Sequence, residues 1–277
     1  MSSYEASVLA LFGINVLLAY SAYSPLATGQ LSVGNAGFMA IGAYVSGILT
    51  VKLGWPMQPA LLAGAVMAGI VGMMVGFPAL RLHGIYLAMA TLGFGEIIRT
   101  FFLNLEYTGS AQGFRGFTGV EWWIIWIWVA VFTGLFWVIS RSRLALAFDA
   151  VRDDETVAEL VGLRVTWLKV GAFALGAFIA GVAGGLFAHF YLYIEPGNFG
   201  FMESIMIVLF VILGGMTTFW GALLGAGLFT VLPEALRFMK DWRGIVFGGI
   251  IILLMIVRPS GLLKRHQFAF RRQREAA

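Results

Sequence analysis

Polar positions along this chain are few and clustered, and the apolar positions between them form long runs. Five such runs, Ala6–Ser24, Ala36–Thr50, Pro59–Phe77, Gly84–Leu103 and Trp122–Ser140, precede a charged cluster. Three more follow it: Val170–Tyr191, Ser204–Leu232 and Gly244–Val257. Most approach the roughly 20 residues that a helix needs to cross a bilayer core. Ser204–Leu232 is longer than one crossing requires, and "GGMTTFWG" interrupts it with helix-weakening Gly and two Thr. A break is therefore expected at 214–221. The segment "ATGQLSVGNAGF" makes a comparable interruption at 26–36, between the first two runs. The pattern predicts an all-α fold, a polytopic transmembrane helix bundle of about 8–10 spans with two broken helices.

Composition agrees. The chain is 60% hydrophobic and only 12% charged, whereas soluble domains carry roughly 25% charged residues. Such a surface cannot be covered for water, so one transmembrane domain, 1–263, is expected. Cys is absent, which excludes disulfides, thiol chemistry and Cys-based metal sites. The run Ala6–Ser24 has Glu5 before it and no Lys or Arg, unlike the basic start of a cleaved signal peptide, and reads as a retained span. The net charge of +4 gathers in the basic tail 264–277, "KRHQFAFRRQREAA". Beside a membrane span, such a tail reads as cytoplasmic retention by the positive-inside bias, and nucleic-acid binding is not expected.

The segment 141–169 holds five basic and five acidic residues. Acids count little in the positive-inside bias, so this loop also reads as cytoplasmic. An even number of crossings must then separate it from the tail, which again requires Ser204–Leu232 to be two segments. Small residues recur at spacing four, at Gly72 and Gly76, Gly176 with Ala180 and Gly184, Gly181 and Gly185, Gly221 and Gly225, and Gly244 and Gly248. Such faces let helices approach closely in lipid and predict a tightly packed bundle.

Candidate chemistry is sparse. Glu96 and Arg99, three apart in an apolar helix, share a face and can neutralise one another. They read either as a polar feature of a solute path or helix interface, or as a structural ion pair near the outer boundary. Gln30, Ser32 and Asn35 sit among glycines in the first interruption, where irregular backbone at membrane depth must line protein or a water-filled cavity. Thr217 and Thr218 occupy the matching place in the second. His83, His189 and His266 lack metal-ligand spacing, and no P-loop, G-x-S-x-G or H-E-x-x-H occurs. An enzyme is not expected, nor a cofactor bound by this chain.

The charged cluster "FDAVRDDETVAELVGL" has no Gly or Pro from Asp149 to Val161. A short amphipathic helix is expected there, with Val151, Ala158 and Val161 near one face, Arg152, Glu155 and Glu159 on another, and Gly162 ending it. Placed between spans, it could dock into a separate motor.

In order, "GQLSVGNAGFMAIGAY", "RLHGIYLAMATLGFGEIIR", "AFDAVRDDETVAELVGLRV", "AGVAGGLFAHFYLYIEPGNFG…GGMTTFWGALLGA" and "IVRPSGLL" span nearly the whole chain. Together they resemble the membrane-spanning permease subunits of branched-chain amino acid ABC importers. The resemblance implies a bacterial inner-membrane, multi-pass subunit with a cytoplasmic C-terminus. It implies a second homologous permease subunit, two cytoplasmic ATPase subunits that bind ATP and Mg, a periplasmic solute-binding protein, and membrane lipid around them. It makes the cluster a coupling helix seated in the ATPase, with Arg152, Asp153, Asp154, Glu155, Ala158 and Gly162 matching that motif and Asp149 and Glu159 beside them. Thr217 and Thr218 stand where family members carry smaller residues, and Asn35 where His is common. These departures bear on the solute, since similar permeases serve urea, short amides or aromatic acids. An ion-coupled secondary transporter is the competing class; it would need membrane carboxylates, for which Glu96 is the candidate.

Overall fold

The computed structural model describes residues 3–79, 82–236, 243–258 and 261–263. The basic tail 264–277 lies outside the described residues. Among the described residues, eleven α-helices dominate. They are α1 (Ser3–Leu26), α2 (Asn35–Gly47), α3 (Met57–Ala79), α4 (Ile85–Asn104), α5 (Trp122–Arg141), α6 (Arg143–Asp153), α7 (Glu155–Leu160), α8 (Val165–Tyr191), α9 (Phe201–Gly214), α10 (Phe219–Ala235) and α11 (Arg243–Val257). A π-helical segment, Ile48–Lys52, extends α2, and two short strands, β1 (Phe114–Arg115) and β2 (Tyr193–Ile194), pair antiparallel at one end of the bundle. The all-α polytopic bundle stands as expected.

The number of spans does not. Among the described residues, five helices are long and apolar enough to cross a bilayer alone: α1, α3, α4, α5 and α8. The pair α9 and α10, bent by 119°, makes up to six when taken as one broken span. The breaks account for the shortfall from 8–10, because they leave α2 at 13 residues and α9 at 14. Both expected interruptions are present. After Leu26 the chain turns through Ala27–Gly29 and runs without regular structure to Gly34; after Gly214 it turns sharply and restarts at Phe219.

Helix α8 is the axis of the bundle, in contact with α1, α2 and α3. It can be central because it presents glycine where backbones meet. A Cβ on Gly184 would lie 1.9 Å from the Met39 carbonyl oxygen, and one on Gly42 only 2.1 Å from that of Gly181. Gly176 meets the Ser21 carbonyl in the same way, at 2.5 Å. At the second break, a Cβ on Gly225 would fall 1.7 Å from the Phe210 carbonyl oxygen, so α9 and α10 cross in direct backbone contact. Four of the spaced small-residue pairs thus lie on packed faces, where dispersion contacts bind helices in lipid. Gly244 and Gly248 depart from that expectation, since among the described residues nothing outside their own helix lies within 4 Å of a Cβ built on either.

Contacts between α1 and α5 set the direction of the chain. Gly13 packs on Ile125, the Tyr20 hydroxyl meets Thr133 Oγ1 at 3.1 Å, and Tyr23 stacks edge-on against Phe136. The two helices run parallel, so α1 begins at the end of the bundle opposite the loop that follows α5. Residues 261–263 return to the second break, where the N–H groups of Leu262 and Leu263 donate to the carbonyls of Leu213 and Gly214.

Candidate functional site

The loop between α5 and α8 is built by caps. Ser142 accepts from the Leu144 N–H at 3.2 Å and starts α6. Asp154 is extended, with φ −158° and ψ 113°, and its Oδ1 accepts from the Thr156 and Val157 N–H groups at 2.8 and 3.1 Å. The expected single helix Asp149–Val161 is therefore two. An Asp side chain competes with the helical backbone and is more stable as a cap than inside a helix, so the run Asp153–Asp154–Glu155 ends α6 and opens α7. Gly162, at φ +85°, then closes α7, its N–H bonding to the Glu159 carbonyl and that of Leu163 to the Ala158 carbonyl.

The break also rotates the apolar face. Val151 and Ala158 do point inward, forming with Val165 a small core covered by Leu163 and Leu168. Val161 instead is 71% exposed and Leu160 82%, with Val157 exposed beside them. Expected on the inner face, Val161 belongs to a bare apolar patch at the tip. Asp153 and Glu159 are exposed around it.

Behind the tip, the loop is fastened to the bundle. Arg152 pairs with Asp149 at 3.0 Å and reaches Asp153 at 3.6 Å. Glu155 forms an ion pair with Lys169 at the start of α8. Lys169 is only 6% exposed, and a buried ammonium is tolerable only when paired. The carbonyl of the same residue accepts from Gln30 Nε2 at 3.0 Å. Gly29, at φ +79°, brings the first break against α6, where a Cβ would lie 3.4 Å from the Arg152 Cα. On its far side that break is fixed to α4: the Val33 N–H donates to Thr91 Oγ1 at 3.0 Å, and a Cβ on Gly34 would meet the Thr91 carbonyl at 2.6 Å. A continuous line of contacts thus runs from α7 through Lys169 and the 27–34 segment to α2 and α4.

The residues expected on a solute path fall into three groups. Gln30, Ser32 and Asn35 are all buried in the first break; among the described residues, Gln30 Oε1 and Asn35 Nδ2 have no hydrogen-bond partner. Glu96 and Arg99 pair at 2.7 Å on α4, partly exposed, with Arg99 beside Gly200 where the chain enters α9. Thr218 caps α10 by accepting from the Gly221 N–H at 3.2 Å, and Thr217 Oγ1 is buried with no partner among the described residues. Among the described residues no hydrogen bond joins one group to another. Lys169, central to the loop's attachment, carries no sequence signal of that role beyond being a lone Lys inside "WLKVGAF". Among the described residues, no cluster of three His, Asp or Glu side chains could hold a metal ion.

Apolar helices around a glycine-packed axis, two broken segments and a capped polar loop define a multi-pass membrane protein. Residues 5–255 match the family described as branched-chain amino acid transport system / permease component, and the chain belongs to that family. It is 36% identical to the high-affinity branched-chain amino acid transport system permease protein LivM of Salmonella typhimurium and 34% identical to that of Escherichia coli K12, each over 91% of this chain. The chain spans 66% of the length of these two relatives. It is also 32% identical to the permease protein LivH of Escherichia coli K12, over 50% of this chain and 46% of that protein.

Proposed function

We propose that this chain is one permease half of an ABC importer that carries branched-chain or other hydrophobic amino acids across a bacterial inner membrane. In this reading it forms a single permease domain, 1–263, pairs with a homologous LivH-like permease, and receives solute from a periplasmic binding protein. Two ATPase subunits, holding ATP and Mg, dock on the cytoplasmic loop 141–169, and the tail 264–277 lies on the same side. Transport proceeds by alternating access, driven by the ATPases, and this chain carries no catalytic residue. Similarity to both LivM and LivH supports a paired permease, because two related chains then divide one translocation path.

The observation that carries the reading is the loop itself, rigid behind and bare in front. Val157, Leu160 and Val161 give an apolar tip ringed by charge, the composition of an interface core with a polar rim. Asp149, Arg152, Asp153 and Asp154 set its shape, Ala158 fills its base, Glu159 belongs to the rim and Gly162 closes it. Glu155 is assigned to attachment through Lys169, away from the ATPase. Solute passes beside the breaks, where Gln30, Ser32, Asn35, Thr217 and Thr218 offer polar groups in apolar surroundings, and Glu96 and Arg99 mark the far end of α4.

Leu160→Asp is the test. Recovery of the ATPase with the tagged permease is expected to fall by at least about tenfold, the scale of a central interface side chain, while membrane insertion is unchanged. Recovery equal to that of the unsubstituted chain would remove the tip from the docking surface.

A further inference from the structure

At the end of the bundle opposite the loop, a cavity of about 670 Å³ opens between α1, α9, α10, α11 and the turn Pro196–Phe199. Small-molecule pockets occupy roughly 300–1,000 Å³. Its wall is mostly apolar, with Leu11, Met206 and Phe210 among the lining side chains, and three polar residues also line it: Asn15, Asn198 and Glu203.

The hydrogen bonds already made by the two amides decide what each can offer. Asn15 Nδ2 donates to Thr230 Oγ1 at 2.9 Å, which leaves its side-chain carbonyl as an acceptor. Asn198 Oδ1 accepts from the Glu195 N–H at 2.9 Å, which leaves its NH₂ group as a donor. Among the described residues, no hydrogen bond or ion pair engages Glu203. A carboxylate in an apolar wall is costly unless a cation reaches it. The cavity therefore presents one carboxyl group, one acceptor and one donor around an apolar volume. That set is complementary to a primary ammonium group, a carboxylate and an aliphatic body carried on one small molecule.

We propose that this cavity is a subsite for the free aliphatic amino acid during its passage, an inference that rests on the import reading above. Glu203 and the Asn15 carbonyl take the ammonium group, the Asn198 amide takes the carboxylate, and Met206 and Phe210 enclose the side chain. The ammonium headgroup of phosphatidylethanolamine carries the same cationic chemistry, so the test separates the two sources.

The chain contains no Cys, so Met206→Cys introduces its only thiol, and Leu11→Cys serves as a second reporter, on α1. Each is placed in the complete complex, reconstituted in phosphatidylcholine vesicles with or without phosphatidylethanolamine. Modification by a cationic methanethiosulfonate is followed by the mass of this chain. Leucine is expected to slow modification severalfold in both lipids, 4-methylpentanoate is expected to give no protection, and adding Glu203→Gln is expected to abolish the effect of leucine. Modification rates unaffected by leucine, or protection that survives Glu203→Gln, would overturn the subsite. Protection given by phosphatidylethanolamine without leucine would assign the cavity to lipid and overturn it as well. Leucine uptake by the unsubstituted complex tests the import reading separately: protection without uptake sinks that reading alone, and uptake without protection sinks the subsite alone.

Discussion

Glu155→Ala is expected to damage this protein more than Lys169→Met, although each removes half of one ion pair. The asymmetry follows from burial. Lys169 is almost wholly enclosed at the foot of α8, whereas Glu155 lies at the edge of α7, with its side chain 40% exposed. Removing Glu155 strands an ammonium group where water cannot reach it, at a cost of about 3–5 kcal/mol. Removing Lys169 leaves a carboxylate that water can solvate, and methionine refills the space, so about 1 kcal/mol is the scale expected for a partly exposed pair. Thermal unfolding in detergent should rank the variants in that order. The Lys169 carbonyl also holds Gln30, so both variants loosen α7 from the 27–34 segment. In a reconstituted complex, leucine uptake per ATP hydrolysed should fall severalfold in both, with hydrolysis retained. Equal thermal stability of the two variants would contradict the burial argument, and unchanged uptake per ATP would contradict the line of contacts.

Gly184→Leu should prevent the bundle from assembling. Its first added carbon alone would sit 1.9 Å from the Met39 carbonyl oxygen, far inside any non-bonded contact. The obstacle is backbone and cannot swing aside. Neighbouring Gly181 and Gly42 are in similar contact, so α2 and α8 would have to separate along their whole crossing. Overpacking a core costs about 1–3 kcal/mol when side chains can adjust, and here they cannot. No monodisperse peak is expected on size exclusion. Gly171→Leu is the control on the same helix: among the described residues nothing outside that helix lies within 4 Å of a Cβ built on Gly171, so that variant should elute like the parent chain. Similar behaviour of the two variants would remove close backbone approach as the reason for glycine at α8.

The features legible in the sequence were those governed by local chemistry. Gly and Thr in "GGMTTFWG" and Gly in "ATGQLSVG" weaken a helix wherever they stand, and both breaks appear where those residues are. The glycine faces of α8 and α10 were readable for the same reason, since spacing four marks one side of a helix. Gly244 and Gly248 share that spacing, yet among the described residues nothing outside their own helix meets a Cβ built on either, because spacing shows a possible contact and not a partner. The division at Asp154 was hidden by composition: "RDDETVAEL" suits a helix throughout, and only the competition between cap and interior ends α6 there. That division sent Val161 outward. The pairing of Glu155 with Lys169 joins two elements through tertiary packing, and no local pattern announces it. The polar residues of the two breaks were identifiable by type, but their separation into groups with no shared hydrogen bond was not. The cavity near Glu203 draws its wall from several helices and a turn, which no single segment reveals.

In the proposed import cycle, transport is driven from outside this chain. The most direct measurement is accumulation of labelled leucine in vesicles that hold either the complete complex or this permease alone. Accumulation is predicted only with the homologous permease, the ATPases, the binding protein and ATP all present. Leucine accumulated by this chain alone, on an ion gradient without ATP, would contradict it.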